Sequence, residues 1–234
     1  MTTTKRIPPN IYLIRHGETK WALTGRHTGR TDIPLTTHGE DEVRELGTHL
    51  RGIPFTHVLT SPLQRAKYSC DLAGLDTAAE SEPDLMEWDY GDYEGKISRD
   101  IRMERADWNI FQHGCPHGEM PAQIEERADR LIVRLRTMSG NVAIFTHGHF
   151  GSALAARWIG LSLIEARHFP LATASLSILS FDPKHPAIPV IALWNAAANK
   201  LFDTARCLPA GETTTAPGSI EEWENEGGEI PPVT

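Results

Sequence analysis

Two runs far apart in the chain carry one pattern: "NIYLIRHG" at 10–17 and "NVAIFTHG" at 141–148. Each is short, apolar and rich in β-formers, and each runs straight into a histidine and a glycine. Apolar runs of that length read as buried strands. A charged or titratable group directly behind a buried strand stands where ligands bind in open α/β sheets, beyond the carboxyl ends of the strands.

The intervening sequence supplies the helices that such strands need. "TTHGEDEVRELGTHL" places Val43, Leu46 and Leu50 on one face, and Thr37 with Glu40 has capping-box spacing. "FTHVLTSP" is a second strand ending near Thr60, after which Ser61 and Pro62 suit an N-cap and first helical residue. Leu63, Ala66, Cys70 and Ala73 line the buried side of the helix that follows. The stretch 84–120 is less regular; it holds "MEWDYGDYEG", a charged helix candidate, and the loop "QHGCPHGE". Ile124, Ala128, Leu131, Leu135 and Met138 then recur at helical spacing up to Gly140. A helix through "ALAARW" ends at Gly160, and "ASLSILSFD" and "IPVIALWN" read as two strands joined through "PKHP". Strands alternating with helices imply an α/β layered fold, three-layer αβα with a mostly parallel central sheet. Residues 1–207 are expected to form a single domain. From Leu208 the chain is rich in Gly, Pro, Thr and Glu, and 208–234 is expected to be a poorly ordered or loosely docked tail.

Composition narrows the class of function. The 234 residues carry a formal net charge of -8, and no basic stripe of the kind that binds nucleic acid is visible. Three scattered cysteines make no disulfide framework, the amino terminus lacks the apolar core of a signal peptide, and the longest apolar stretch is too short to span a bilayer. A cytoplasmic location without nucleic-acid or membrane partners is expected, and a homodimer is left open. An anion site on this negative body must be a local positive pocket.

The strand ends offer one. The first delivers Arg15 and His16, the second Thr60-Ser61 with Arg65 just beyond, the third His147 and His149. If these strands are parallel neighbours, two arginines and the histidines meet in one crevice. Guanidinium forks match phosphate oxygens. A neutral imidazole whose other nitrogen is pinned by a carbonyl is a competent nucleophile toward phosphorus. Glu87 in "LMEWDYGDYEG" is placed to serve as the proton donor. The glycines beside both histidines allow close backbone approach to a ligand.

With "RHGET", "LTSPLQRA", "LMEWDYGDYEG" and "FTHGHF" in this order over roughly residues 10–195, the chain resembles the histidine phosphatase superfamily, the phosphoglycerate mutase-like branch. The resemblance implies a phosphoglycerate mutase-like fold, a phosphohistidine on His16, phosphoryl contacts from Arg15, Arg65 and His147, and Glu87 as acid and then base. It also implies Thr28, Gly29 and Tyr90 at the substrate pocket; His149, read on its own, either orients substrate or is held behind the site. No metal and no cofactor is implied; the partners are a small phosphorylated substrate and inorganic phosphate as product. "GRHTGRTDIPLT", "EWDYGDYEG" and "WNIFQHGCPHGE" resemble sedoheptulose-1,7-bisphosphatase-like phosphatases more than mutases, so hydrolysis of a sugar phosphate or bisphosphate is expected. A phosphoglycerate mutase and a catalytically silent phosphate-binding domain are the alternatives.

Two departures from those relatives bear on substrate. Ala22 stands where they carry serine or asparagine, and Ser152 where they commonly carry arginine. Arg26, His27, Arg99 and Arg102 are candidates for a distal phosphate, though each alone reads as a solvated charge. Trp88 reads as a core aromatic. His113, Cys115 and His117 in "HGCPHG" are ligand types without the fourth partner of a structural zinc site, and a lid over the pocket is the expectation for that loop.

Overall fold

The computed structural model describes residues 8–198. The tail expected over 208–234 lies outside the described residues. In chain order the elements are β1 (Asn10–Arg15), α1 (Lys20–Leu23), α2 (Thr37–Leu50), β2 (Phe55–Thr60), α3 (Gln64–Leu72), β3 (Ala79–Ser81), α4 (Ser98–Glu104), α5 (Ile110–His113), α6 (Pro121–Arg136), β4 (Asn141–Thr146), α7 (Gly148–Trp158), β5 (Ser175–Phe181) and β6 (Pro189–Ala197).

One six-stranded sheet runs in the order β3-β2-β4-β1-β5-β6. The pairs β3–β2, β2–β4 and β4–β1 are parallel, and β5 is antiparallel to both its neighbours. The two histidine-bearing strands are therefore adjacent, with Arg15 level with Thr146 and Thr60 level with Phe145. The pairing continues one step past the strand ends: the His16 amide donates to Thr146 O and the Ser61 amide to Phe145 O. All three strand ends thus stop at one level of the sheet.

The pleat divides the core. Ile11 and Leu13 of β1 and Val142 and Ile144 of β4 pack with α6 and α7, while Tyr12, Ile14, Ala143 and Phe145 pack with α2 and α3. Side chains alternate faces along a strand, so a continuous apolar run feeds both layers. Two helical layers around a mostly parallel sheet is the architecture expected of the chain.

Local details differ from the sequence reading. Thr36, not Thr37, caps α2, accepting from the Gly39 amide. Ser61 is not the N-cap of α3: that helix begins at Gln64 without a side-chain cap, and the Ser61 hydroxyl is engaged by His147. The 114–119 segment is not a lid. It is stitched to the loop bearing Glu87, with the Asp92 amide on Pro116 O and the Glu119 amide on Asp89 O; none of residues 113–118 lines the cavity described below.

Candidate active site

β1 ends by presenting His16, which is 5% exposed. Its Nδ1 lies 2.7 Å from Gly17 O. A carbonyl can only accept, so Nδ1 carries the proton and Nε2 keeps its lone pair. Burial, then the charges of Arg65 and Arg15, hold its pKa well below the ordinary histidine value. His16 is consequently a neutral imidazole at neutral pH, with a lone pair on Nε2 that is chemically able to act as base or nucleophile.

His147 follows β4 and is wholly buried, its ring 5.2 Å from that of His16. Its Nε2 is 2.7 Å from Ser61 Oγ. The buried Ser61 hydroxyl receives the Leu63 amide, and Nε2 is the one acceptor for its own proton among the described residues, so Ser61 donates to Nε2 and the ring proton stands on Nδ1. Burial and the charge of Arg65 keep His147 neutral as well.

Arg65, in the first turn of α3, is wholly buried and points back under the 28–31 loop. It donates to the carbonyls of Thr28, Gly29 and Thr31. Arg15 donates to Leu171 O. Yet Arg15 Nε, Arg65 Nε and His147 Nδ1 are buried and have no hydrogen-bond partner among the described residues. A buried donor left unpaired costs on the order of 1–3 kcal/mol. Three such donors lie on side chains beside or behind the His16 imidazole, two of them guanidinium groups, whose chemistry suits an oxyanion.

Glu87 completes the site from the other side. Its Oε1 accepts from the amides of Trp88 and Phe150, each at 2.9 Å, and its Oε2 from the His149 amide at 3.1 Å. The carboxyl group thus sits on the N-terminus of α7, its oxygens taking up amides that have no partner within the helix. Oε2, with one backbone donor, is the freer oxygen for exchanging a proton.

A cavity of about 380 Å³ opens above these groups. Arg15, His16, Glu87 and Gly148 form its base; Arg65 and His147 back that base without lining it. Its wall includes Ala22, Arg26, Thr28, Tyr90, His149 and Ser152. Of the residues expected at a substrate pocket, Thr28, Tyr90 and His149 line this cavity and Gly29 does not. A Cβ on Gly29 would fall 2.4 Å from Trp88 O, and its backbone serves Arg65 instead. The two glycines after the histidines also serve protein contacts: a Cβ on Gly17 would fall 2.4 Å from Gly39 O, and one on Gly148 would lie 3.3 Å from Arg15 Cζ.

The outer residues resolve individually. Tyr90 hydroxyl lies 2.5 Å from His149 Nδ1, and His27 stacks on Tyr90 at 4.8 Å. Burial drives His149 down to about 4 and His27 down to about 3, so both are neutral rings rather than cations for a distal phosphate. Arg99 and Arg102 do not line the cavity; Arg26 does, with one nitrogen on Gly95 O. The Ser152 hydroxyl lies 2.7 Å from Phe169 O and 2.9 Å from Gly148 O, so its single proton is claimed by backbone. Trp88 is fully buried core. Sequence reasoning missed Ser61 as the partner of His147, and Ser69, whose hydroxyl receives the Gly17 amide and donates to Arg65 O. Serines have no sequence signature that distinguishes such a bridge from a helix cap.

A sequence model of the histidine phosphatase superfamily (branch 1) matches residues 11–196. The chain is 41% identical over 176 residues to an acid phosphatase of Mycobacterium tuberculosis, covering 74% of this chain and 86% of that one. It is 34% identical over 189 residues to sedoheptulose 1,7-bisphosphatase of Saccharomyces cerevisiae, covering 67% and 70%. The solved structure of a Mycobacterium tuberculosis open reading frame product superposes with a TM-score of 0.75 at 36% identity, over 81% of this chain and 98% of that one. A match across both histidine-bearing strands, the helices between them and the loop bearing Glu87 places this chain in the histidine phosphatase superfamily, branch 1, as a phosphatase.

Proposed function

We propose that the chain hydrolyses a small phosphorylated metabolite, a sugar phosphate or bisphosphate, through a phosphohistidine on His16 and without a metal ion. The observation that carries this reading is the unprotonated Nε2 of His16 beside three unpartnered buried donors, with the Glu87 carboxyl at the same cavity base. Two guanidinium groups repel a cation and neutralise a phosphoryl dianion, so the charge of the transition state is met by fixed groups.

In the first step His16 Nε2 attacks phosphorus, the P–O bond to the alcohol breaks, and Glu87 gives its proton to the departing oxygen. In the second, Glu87 takes a proton from water, the water oxygen attacks phosphorus, and the P–N bond breaks to return neutral His16 and inorganic phosphate. Arg15, Arg65 and His147 hold the phosphoryl oxygens throughout. Thr28, Tyr90 and His149 line the cavity in which the alcohol portion would lie.

Sedoheptulose 1,7-bisphosphatase among the relatives supports a sugar bisphosphate. The cavity offers Arg26 and Arg167 as outer cations for a second phosphate, while Ser152 offers no free donor there. His16→Ala should abolish turnover of a sugar-phosphate panel, and wild-type turnover should survive EDTA. Retained turnover in H16A, or loss on chelation, overturns the mechanism; isomerisation of 3-phosphoglycerate without phosphate release overturns the choice of hydrolysis.

A further inference from the structure

The loop that carries Glu87 has almost no regular structure, so something must hold it. Arg127, on α6, is buried with 7% exposure. Its Nη1 donates to Asp84 O and Met86 O at 3.0 and 2.6 Å. Its other face grips the Glu119 carboxylate in a two-point contact, Nε to Oε1 at 3.1 Å and Nη2 to Oε2 at 3.0 Å. Glu119 is itself bound to the far side of the loop: Oε2 receives the Asp89 amide, and its carbonyl receives Trp88 Nε1, each at 2.8 Å. The Arg127 guanidinium also lies 4.2 Å over the ring of Phe150, whose amide binds the Glu87 carboxylate.

One side chain therefore touches the backbone immediately before Glu87, a partner of the Trp88 indole and the Asp89 amide just after it, and the helix turn that receives its carboxylate. A planar fork with five donors can make these contacts together; an ammonium cannot. We infer that Arg127 is a positioning residue for proton transfer by Glu87, fixing the acid against the N-terminus of α7. The assignment rests on Glu87 being the acid of the proposed reaction.

Its signature is dependence on the leaving group. An alkyl phosphate needs a proton on the departing alkoxide, whereas p-nitrophenyl phosphate releases a stabilised phenolate that does not. kcat/KM for phosphoryl transfer should fall about tenfold or more on the alkyl ester in Arg127→Met, a partial loss of the ~10²–10⁴-fold that general acid catalysis contributes, and by about threefold or less on the aryl ester. Arg127→Lys should fall between R127M and the wild type. Competitive inhibition by inorganic phosphate should be unchanged, because the anion site is built from other elements. Should R127M fail to fold, Glu119→Gln carries the same expectation, since it removes the ion pair with little change in volume. Glu87→Gln run alongside separates the two readings. A leaving-group-selective loss in E87Q beside a uniform loss, or no loss, in R127M (or in E119Q, should R127M not fold) overturns the assignment of Arg127 alone. A non-selective E87Q profile removes the acid and overturns both.

Discussion

His16 and Ser61 show how single contacts set the chemistry. Burial first, then the charges of Arg65 and Arg15, make the His16 ring resist protonation, while the contact of Nδ1 with Gly17 O fixes its tautomer. Nitrogen-detected NMR should therefore show the Nδ1–H tautomer persisting as pH is lowered through 6.5; a titration midpoint at 6.5 would contradict the neutral nucleophile. Ser61 acts one residue away in space. Ser61→Ala removes the donor that fixes the His147 ring, leaving Nε2 unpaired at a buried site at a cost of about 1–3 kcal/mol. Inhibition by inorganic phosphate should weaken in S61A, since His147 Nδ1 is no longer aimed; an unchanged inhibition constant would count against that role.

At the scale of elements, the site depends on helix termini brought close to strand ends. The N-terminus of α2 approaches the backbone after His16 so tightly that a Gly17 methyl would meet Gly39 O at 2.4 Å and Val43 Cγ2 at 2.8 Å. Gly17→Ala should destabilise the fold by about 1–3 kcal/mol, the usual cost of overpacking, and lower kcat by shifting His16. Thr36→Ala, which removes the α2 cap, should cost about 1 kcal/mol with kcat/KM intact. Thermal unfolding and steady-state rates on the pair check both, and equal kinetic damage in T36A would break the distinction. The elements that could be read from sequence are those whose own burial pattern declares them: β1 and β4 are apolar on both faces, and α2, α3 and α6 each repeat an apolar stripe. The acid loop could be recognised by its motif, but its shape could not be derived. It is held by partners dozens of residues away, such as Thr146 Oγ1 donating to Leu85 O and Trp88 Nε1 donating to Glu119 O, and long-range bonds leave no periodicity. Arg127 was illegible for the same reason; in "EERADRLIVRLR" it is one charge among several on an amphipathic helix.

The whole molecule carries the consequence of concentrating neutral histidines inside a positive pocket. His16, His147, His149 and His27 all have pKa values below the ordinary 6.5, with burial the largest cause for each. The unfolded chain protonates these rings as pH falls through 6.5, while the folded chain does not until it reaches about 4 at His149 and about 3 at His27. Across that window the unfolded state binds more protons, so folding stability must fall as pH falls. The slope approaches about 1.4 kcal/mol per pH unit for each histidine that remains neutral. Urea unfolding at pH 7.5, 6 and 5 should show stability dropping steeply below about 6.5. A saturating concentration of inorganic phosphate should recover part of the loss, because an anion between Arg15, Arg65 and the two histidines favours their protonated forms in the folded state and binds that state alone. A flat profile between pH 7.5 and 5 would mean that the four rings are not held neutral, and with it the lone pair on His16 that the proposed chemistry requires would be lost.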